Sequence, residues 1–253
     1  MIEWAPPGLN WNLITAATAT VAFVAGGTVK GTLGVGLPLV TVPMLSLAIP
    51  VPLAISLVVV PVLASNIWQA VDSGISVSGA KRFASLSVAL MVTTLLTVPL
   101  TLAMPERVLN ALVAAAVILA VVLMSIRVKV VISERQERIA SPVIGAVSGV
   151  MGGVSSLTGP IIISYVMALK LGREEFVGSM SVIYLAGAIP LYGSFIAYGR
   201  LGLTELLLSA AAMIPVALGL AMGRALRGRL NEAWFRWVLL IFLCIIAVAL
   251  LFR

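Results

Sequence analysis

The chain has 253 residues, of which 61% are apolar and only 10% charged, and its net charge is +7. A mean hydropathy of +1.18 is too high for a soluble domain of this length, so we expect an integral membrane protein surrounded by lipid. Histidine is absent and Cys244 is the only cysteine, which excludes intramolecular disulfides, Cys/His zinc sites and Ser-His or Cys-His catalysis. No cofactor is expected.

The N-terminus, MIEWAPPGLNWN, lacks the basic start and small-residue cleavage site of a signal peptide, so the first apolar run is expected to remain as a membrane span. Some apolar segments are shorter than the approximately 20 residues of a straight span. Tryptophans near both ends of the chain, Trp4, Trp11, Trp234 and Trp237, are typical of membrane interfaces. We distinguish ten segments, near 11–29, 32–49, 51–71, 83–103, 108–127, 140–156, 157–170, 176–198, 203–223 and 233–252.

Two glycine-rich stretches interrupt the apolar pattern 122 residues apart, GGTVKGTLGVGLP from Gly26 and SGVMGGVSSLTGP from Ser148. Pro38 in the first matches Pro160 in the second. Breaks in regular helix are tolerated in lipid only where the backbone is buried in protein or lines a cavity. A matched pair of breaks predicts a transporter binding site formed by broken or re-entrant helices.

The ten segments divide into two halves of five. An odd number of crossings turns the second half upside down relative to the first, which predicts an all-α polytopic membrane protein made of two inverted repeats. The longest polar stretch, around ISERQERIASP, is the natural join between the halves. We therefore expect a first transmembrane repeat at 1–131, a cytoplasmic linker at 132–139 and a second repeat at 140–253.

The basic residues are distributed unevenly when loops are assigned to alternating sides. The positive-inside rule then puts the loop around 129–138 in the cytoplasm and both termini outside a cell inner membrane. This topology accounts for the excess of basic residues without a nucleic-acid partner. Only Arg107, Arg200 and Arg253 fall outside, whereas the other side holds Lys81, Arg82, Arg127, Lys129, Arg135, Arg138, Lys170, Arg173, Arg224, Arg227, Arg229 and Arg236, with Lys30 if it faces that way.

Nearly the whole chain resembles the sulfite exporter TauE/SafE family, also called the four-toluene sulfonate uptake permeases. The stretch GGTVKGTLGVGLPLVTVPML is similar to the family's first glycine-rich motif, and GVMGGVSSLTGPIIISYVMALKL to its Gly-Gly and Gly-Pro signature. The end of the chain, from MIPVALGLAMG onwards, looks like the family's closing helices. Many members have three consecutive glycines where this chain has Gly34-Val35-Gly36-Leu37. The resemblance implies transport of sulfur-containing oxyanions, sulfonates or related small organic anions.

The broken helices independently favour an anion, because a helix that starts inside the membrane presents unpaired amide groups and a partial positive charge. Proline is well tolerated in a first helical turn, so second half-helices are expected to start near Pro38 and Pro160. Lys30 supplies charge, glycines allow close backbone approach and hydroxyls donate hydrogen bonds. The predicted substrate-binding residues are Lys30, Thr32, Gly34, Gly36, Asn66, Ser155, Ser156, Thr158, Gly159 and Tyr184.

Each of these residues also has a plainer interpretation. Lys30 could end the first span and extend its ammonium to the cytoplasmic interface. The spacings Gly27xxxGly31, Gly145xxxGly149 and Gly149xxxGly153 also suit close helix packing, and Asn66 could simply bond a neighbouring helix. Tyr165, Tyr184 and Tyr192 are candidates for hydroxyl contacts, with interfacial anchoring as the alternative for some of them.

We therefore expect a transporter and not an enzyme, exporting a small sulfur-containing anion by alternating access. An anion leaving a negative cytoplasm gains about 2.3 kcal/mol per charge per 100 mV, and no carboxylate lies at an obvious mid-membrane position for proton coupling. The alternatives are transport of a non-sulfur organic anion, a scaffold without substrate, or an intramembrane serine-lysine hydrolase using Lys30. The sequence leaves a homodimer open.

Overall fold

The computed structural model describes residues 12–126, 132–226 and 232–253, and every regular element within these ranges is an α-helix. The predicted all-α class is therefore confirmed. Trp4, Trp11, Arg127, Lys129, Arg227 and Arg229 lie outside the described residues. The helices are α1 (Leu13–Leu33), α2 (Leu37–Leu45), α3 (Val51–Leu57), α4 (Val59–Asp72), α5 (Val77–Arg82), α6 (Ala84–Ala103), α7 (Glu106–Ser125), α8 (Glu134–Ser155), α9 (Gly159–Ala168), α10 (Arg173–Ala197), α11 (Leu203–Ala211), α12 (Met213–Leu226) and α13 (Glu232–Leu251).

Six spans within the described ranges are long and apolar enough to cross a membrane, or seven if the bent pair α3–α4 counts as one. The chain is thus a multi-pass membrane protein. Helix α8 begins at Glu134, with Ser133 and Gln136 forming a capping box, so most of the segment 132–139 is helical. Trp234 and Trp237 are more than half exposed on α13. Their interfacial role remains a prediction.

Both glycine-rich stretches break their helices in the same way. Helix α1 ends where Gly34 adopts a left-handed conformation (φ 83°), and α8 ends where Ser156 does (φ 60°). The amide of each residue donates back to a carbonyl four residues earlier, Lys30 or Gly152, which closes the helix. Helices α2 and α9 begin three residues later, each with a proline in its first turn.

Two prolines explain two further helix breaks. A proline removes the hydrogen bond to the carbonyl four residues earlier, and its ring clashes with that carbonyl. Four residues before Pro61 is Leu57, where α3 ends, and α3 and α4 meet at an angle of 41°. Four residues before Pro215 is Ala211, where α11 ends. Helices α4 and α12 are therefore each preceded by a short helix, α3 or α11, and the bend exceeds 40° at α3–α4.

Small residues bring two helix pairs into close contact. Helix α1 packs along α12 and α8 packs along α6. A Cβ atom on Gly27 would lie 2.6 Å from the backbone oxygen of Val216, and one on Gly149 would lie 2.5 Å from that of Leu90. The helix-packing interpretation of these glycine spacings is therefore correct at both places.

The helix boundaries recur along the chain. Leu33 and Ser155 end α1 and α8, and the residues that start α2 and α9, Leu37 and Gly159, show the same separation of 122. The contacts recur in the same way. The same separation relates α1 to α8 and α12 to α6, and α1 packs on α12 just as α8 packs on α6. Short helices α2 and α9 lie inside, and every residue of α2 except Pro38 is buried.

Ion pairs mark two ends of the helix bundle. Arg82 contacts Glu137 at 2.6 Å and Glu175 at 3.6 Å, and the Glu137 carboxylate raises the pKa of Arg82 through this hydrogen bond. Arg253 lies 3.6 Å from Glu106. Arg82 precedes α6 and Glu106 follows it, and a helix of 20 residues is about 30 Å long. The two groups therefore lie at opposite ends of α6.

Candidate functional site

The two helix breaks meet around one small cavity. Its volume is about 40 Å³, whereas one water requires roughly 10–15 Å³. The cavity therefore suits a ligand of only a few heavy atoms. The residues that line it come from α1, α2, α4, α6, α8, α9, α10 and both breaks, and are Lys30, Gly36, Pro38, Leu39, Val62, Asn66, Thr94, Gly152, Ser156, Leu157, Thr158, Gly159, Pro160, Tyr184, Gly187, Ala188, Leu191 and Tyr192.

Lys30 is the charged residue of this lining. Its side chain is 2% exposed, and Nζ donates to Asn66 Oδ1 over 2.6 Å. None of the ion pairs among the described residues involves Lys30. Its hydrogen-bond partner is thus a neutral amide, which satisfies one of three donors and none of the charge. A buried ammonium without a counterion is costly, and a bound anion would offset that cost.

The amino-terminal ends of α2 and α9 also reach the cavity. Gly36 precedes α2 with φ 98°, and Pro38 lies in the first turn. Gly159 and Pro160 occupy the first turn of α9. A first helical turn leaves backbone amides without intrahelical acceptors and carries a partial positive charge. Both ends thus contribute to the positive potential around Lys30.

Hydroxyl groups line the side of the cavity formed by the second half. Tyr184 Oη is buried without a hydrogen-bond partner among the described residues, and a Cβ atom on Gly159 would lie 2.7 Å from it. The absence of a Cβ atom at Gly159 therefore leaves room for the Tyr184 hydroxyl. Ser156, Thr158 and Tyr192 lie on the same wall. This wall can donate hydrogen bonds to oxygen atoms of a ligand without adding charge.

Seven of the ten predicted site residues line the cavity, namely Lys30, Gly36, Asn66, Ser156, Thr158, Gly159 and Tyr184. The other three lie beside it. Thr32 donates to the carbonyls of Thr28 and Gly223, at 2.8 and 3.3 Å. Ser155 donates to Met151 and accepts from the amide of Leu157. Gly34 forms the helix cap, and its carbonyl accepts from Gln69 Nε2 at 2.9 Å.

Sequence reasoning did not identify several lining residues. Thr94 on α6 reaches the cavity because α6 packs against α8, where its hydroxyl donates to Gly149 O at 3.2 Å. Gly187 on α10 gives room for Leu90, which would lie 3.1 Å from a Cβ atom there. Neither residue belongs to a glycine-rich motif. Their roles follow from contacts between halves, for which the sequence carries no local signal.

A second, larger cavity lies on the other side of Lys30, between α4 and α12. Its volume is about 350 Å³. Lys30 is common to both cavities, so its side chain lies at the boundary between them. The other lining residues are Ala64, Ser65, Trp68, Gln69, Met213, Ala217, Leu220, Ala221 and Arg224.

A search of the described residues finds no group of His, Cys, Asp or Glu side chains able to hold a metal ion. Among known proteins, the family model for the sulfite exporter TauE/SafE matches residues 18–250, nearly the whole chain. No curated protein and no solved structure gave a match.

Proposed function

This chain belongs to the sulfite exporter TauE/SafE family, and from that premise we propose that it exports a small sulfur-containing anion, such as sulfite, a sulfonate or sulfoacetate. The family is one of membrane transporters, which agrees with the six apolar spans. The proposed substrate site is the cavity at the two helix breaks. Its residues are the seven lining positions predicted from the sequence, with Tyr192 and Thr94 beside them.

The observation that carries this proposal is the environment of Lys30. A buried ammonium faces the cavity, and its hydrogen-bond partner in the structure is the neutral Asn66. A scaffold could use Asn66 to bond a neighbouring helix, but it would gain nothing from a buried, unbalanced charge. A transported anion supplies the missing negative charge while it is bound.

The remaining chemistry of the cavity favours a compact oxyanion. Sulfite and sulfonate groups present three oxygens around one sulfur, and each oxygen can accept from an ammonium, a backbone amide or a hydroxyl. Lys30, the two helix starts and the hydroxyls of Thr158 and Tyr184 provide all three kinds of donor. The small volume favours the sulfur group itself, so a longer substrate would extend into the adjoining cavity.

The two halves are proposed to be inverted repeats that expose the site alternately. Two observations support the inverted repeat: helix boundaries recur at a constant separation of 122, and the equivalent helix pairs α1–α12 and α8–α6 both pack together. Export needs no coupling ion, because the membrane potential drives an anion out of a negative cytoplasm. None of the cavity-lining residues is a carboxylate that could carry a proton.

A hydrolase has little support in the geometry. A serine-lysine enzyme requires a hydroxyl within hydrogen-bond distance of the lysine amine. Lys30 Nζ instead donates to the Asn66 side chain at 2.6 Å. A transporter of carboxylates is the stronger alternative, because the same donors would bind a carboxylate group.

The experiment is binding and transport by purified protein in proteoliposomes, with sulfite, methanesulfonate, sulfoacetate and acetate as probes. Lys30→Met removes the charge and keeps a long apolar side chain. Asn66→Asp keeps the shape of the side chain but gives Lys30 a permanent counterion. We expect both changes to lower affinity for sulfur anions by about 100-fold, or roughly 2.7 kcal/mol.

The two variants distinguish an effect of charge on binding from an effect on folding. Lys30→Met removes a buried charge and Asn66→Asp neutralises it, so neither variant should lower the thermal stability of the ligand-free protein. Unchanged affinity in Asn66→Asp would contradict the proposed role of Lys30. Transport of acetate in preference to the sulfur anions would identify carboxylates as the substrate class, and the proposed site would remain the same.

A further inference from the structure

We infer that the cavity between α4 and α12 is the passage through which the anion passes between the central site and one face of the membrane. We further infer that the opposite passage, closed in this structure, lies between α6 and α10. This inference rests on the proposed function for the identity of the anion. The passage itself rests on the geometry alone.

The position of the larger cavity fits a passage. It is lined by the second half of α4, at Ser65, Trp68 and Gln69, and by α12 as far as Arg224. Its inner end is Lys30, which also faces the central site. A ligand leaving the central site past the Lys30–Asn66 pair therefore enters this cavity directly.

The polar groups of the passage suit an anion. Arg224, near the end of α12, is exposed, while Lys30 lies at the inner end. Gln69 and Ser65 lie between them on α4, and none of the lining residues is acidic. A cleft lined by one sign of charge concentrates ions of the opposite sign and increases their rate of entry. Two cations at the two ends provide such a field.

A comparison of equivalent helix pairs indicates why this passage is open. The separation of 122 relates α4 to α10 and α12 to α6. Helix α10 packs extensively along α6, whereas α4 scarcely touches α12. Leu90 of α6 fills the α6–α10 contact beside Gly187. Equivalent surfaces are thus joined in one pair and apart in the other.

Pro61 and Pro215 lie in α4 and α12, the two helices that line the open passage. The break preceding Pro61 bends the helix axis by 41° just before α4, and α11 ends four residues before Pro215, whereas α6 and α10 continue through Pro99 and Pro190. If the halves exchange their conformations, α4 and α12 close together and α6 separates from α10. The site would then face the other side, as alternating access requires.

The charges indicate which face the open passage serves. Arg224 follows the same loop assignment as Lys81 and Arg82, the side that the positive-inside rule places in the cytoplasm. The structure therefore corresponds to a state open to the cytoplasm. An exporter would load its substrate in this state.

The test is thiol accessibility in membrane vesicles of both orientations, using a charged, impermeant maleimide on the full chain. Cys244 is exposed and is first replaced, as Cys244→Ser. Ala221→Cys and Ala217→Cys place thiols in the passage, and the matched controls Met222→Cys and Leu218→Cys place them one residue away, on exposed apolar positions outside the passage. Thiolates form only in contact with water, so we expect passage thiols to react at least about tenfold faster than their controls.

The orientation of the vesicles gives the second readout. Passage thiols should react when the reagent is on the cytoplasmic face and remain protected when it is on the outer face. Equal rates within each pair, or reaction from the outer face alone, would overturn the assignment of the passage. Leu95→Cys, at one of the exposed positions on α6 outside the central cavity, serves as a third control whose rate of modification should not change with vesicle orientation.

A last arm separates this inference from the proposed substrate. Methanesulfonate is added at saturating concentration, because sulfite itself consumes maleimides. Slower modification of Ala221→Cys, but not of Met222→Cys, supports both the passage and the anion. Fast, one-sided modification that methanesulfonate does not affect supports the passage and counts against the sulfur-anion function. Fast modification of neither thiol, with intact methanesulfonate binding, rejects the passage alone.

Discussion

The two helix breaks share a backbone but differ in chemistry. Gly34 and Ser156 cap their helices with the same left-handed conformation and the same hydrogen bond. At the separation of 122, however, Lys30 corresponds to Gly152, Asn66 to Ala188 and Tyr184 to Val62. The first half therefore supplies the charge and its amide partner, and the second half supplies most of the hydroxyls.

This division has an electrostatic reason. A symmetric site would place two ammonium groups around one cavity of about 40 Å³, and like charges at such short range repel strongly in a medium of low dielectric constant. A single lysine matches one negative charge, as on a sulfonate or on bisulfite. The repeated backbone thus sets the position of the ligand, and the unequal side chains set its charge.

The largest expected effect comes from the feature that the two halves share. Gly27→Ala and Gly149→Ala each place a Cβ atom within 2.6 Å or less of a backbone oxygen on the facing helix. We expect each change to destabilise the protein by about 1–3 kcal/mol, because backbones cannot yield as side chains do. The melting temperature in detergent measures this loss.

Gly193→Ala on α10 is the matched control, because nothing lies within 4 Å of the added Cβ atom. It should leave stability unchanged or raise it by up to about 1 kcal/mol, since alanine favours helix more than glycine does. If only one of the two packing variants lost stability, the equivalence of the two helix pairs would be refuted.

The second prediction concerns the chemistry that distinguishes the breaks. Lys30→Met should lower anion affinity by about 100-fold, whereas Thr158→Val, at the position equivalent to Gly36, should lower it by only about fivefold, because a neutral hydrogen bond contributes about 1 kcal/mol. Isothermal titration with methanesulfonate compares them directly. Equal losses would show that charge is not concentrated on the first half.

The third prediction adds a Cβ atom at one helix cap, Gly34, and removes the side chain at the other, Ser156. Gly34→Ala should cost about 1–2 kcal/mol, because its φ of 83° is unfavourable for a residue with a Cβ atom. Ser156→Gly relieves a residue at φ 60° and should raise stability by up to about 1 kcal/mol. Thermal unfolding of the ligand-free protein gives both signs, and the same sign for both variants would contradict the shared cap.

The smallest expected effect is that of Tyr184→Phe. Its hydroxyl is buried without a partner in the structure, so removing it should not reduce stability. We expect a loss of about threefold in anion affinity, measured against Tyr198→Phe, an exposed tyrosine at the end of α10. A clear drop in melting temperature without any loss of affinity would assign Tyr184 to packing.

The sequence predicted the positions of the breaks because they depend on local chemistry. Glycine and proline determine where a helix can end and start again, and these signals place both breaks to within a few residues. Pro61 and Pro215 carried an equally local signal, but their effect was not foreseen, since Pro99 and Pro190 lie in helices that continue. Whether a proline bends or breaks a helix depends on its packing neighbours.

The side chains of the site were less predictable, because their direction depends on the partner helix. Lys30 and Asn66 were separate candidates, and their pairing needs α1 to meet α4 at that height. Thr32 has the right residue type but faces α12, where its hydroxyl bonds the backbone. A hydroxyl beside a glycine motif cannot reveal which of two faces it occupies. That information lies in the contacts between distant segments.

The short internal helices constrain how this protein is made in the cell. Helix α2 has 9 residues and α9 has 10, far fewer than the approximately 20 that a spanning segment requires. Neither can be released alone into lipid, where the carbonyls at its ends would remain unpaired. Helix α2 contacts α13, which lies far later in the chain. Its final burial must therefore wait until α13 has been synthesised, so truncation of α13 would leave α2 incompletely covered for membrane quality control.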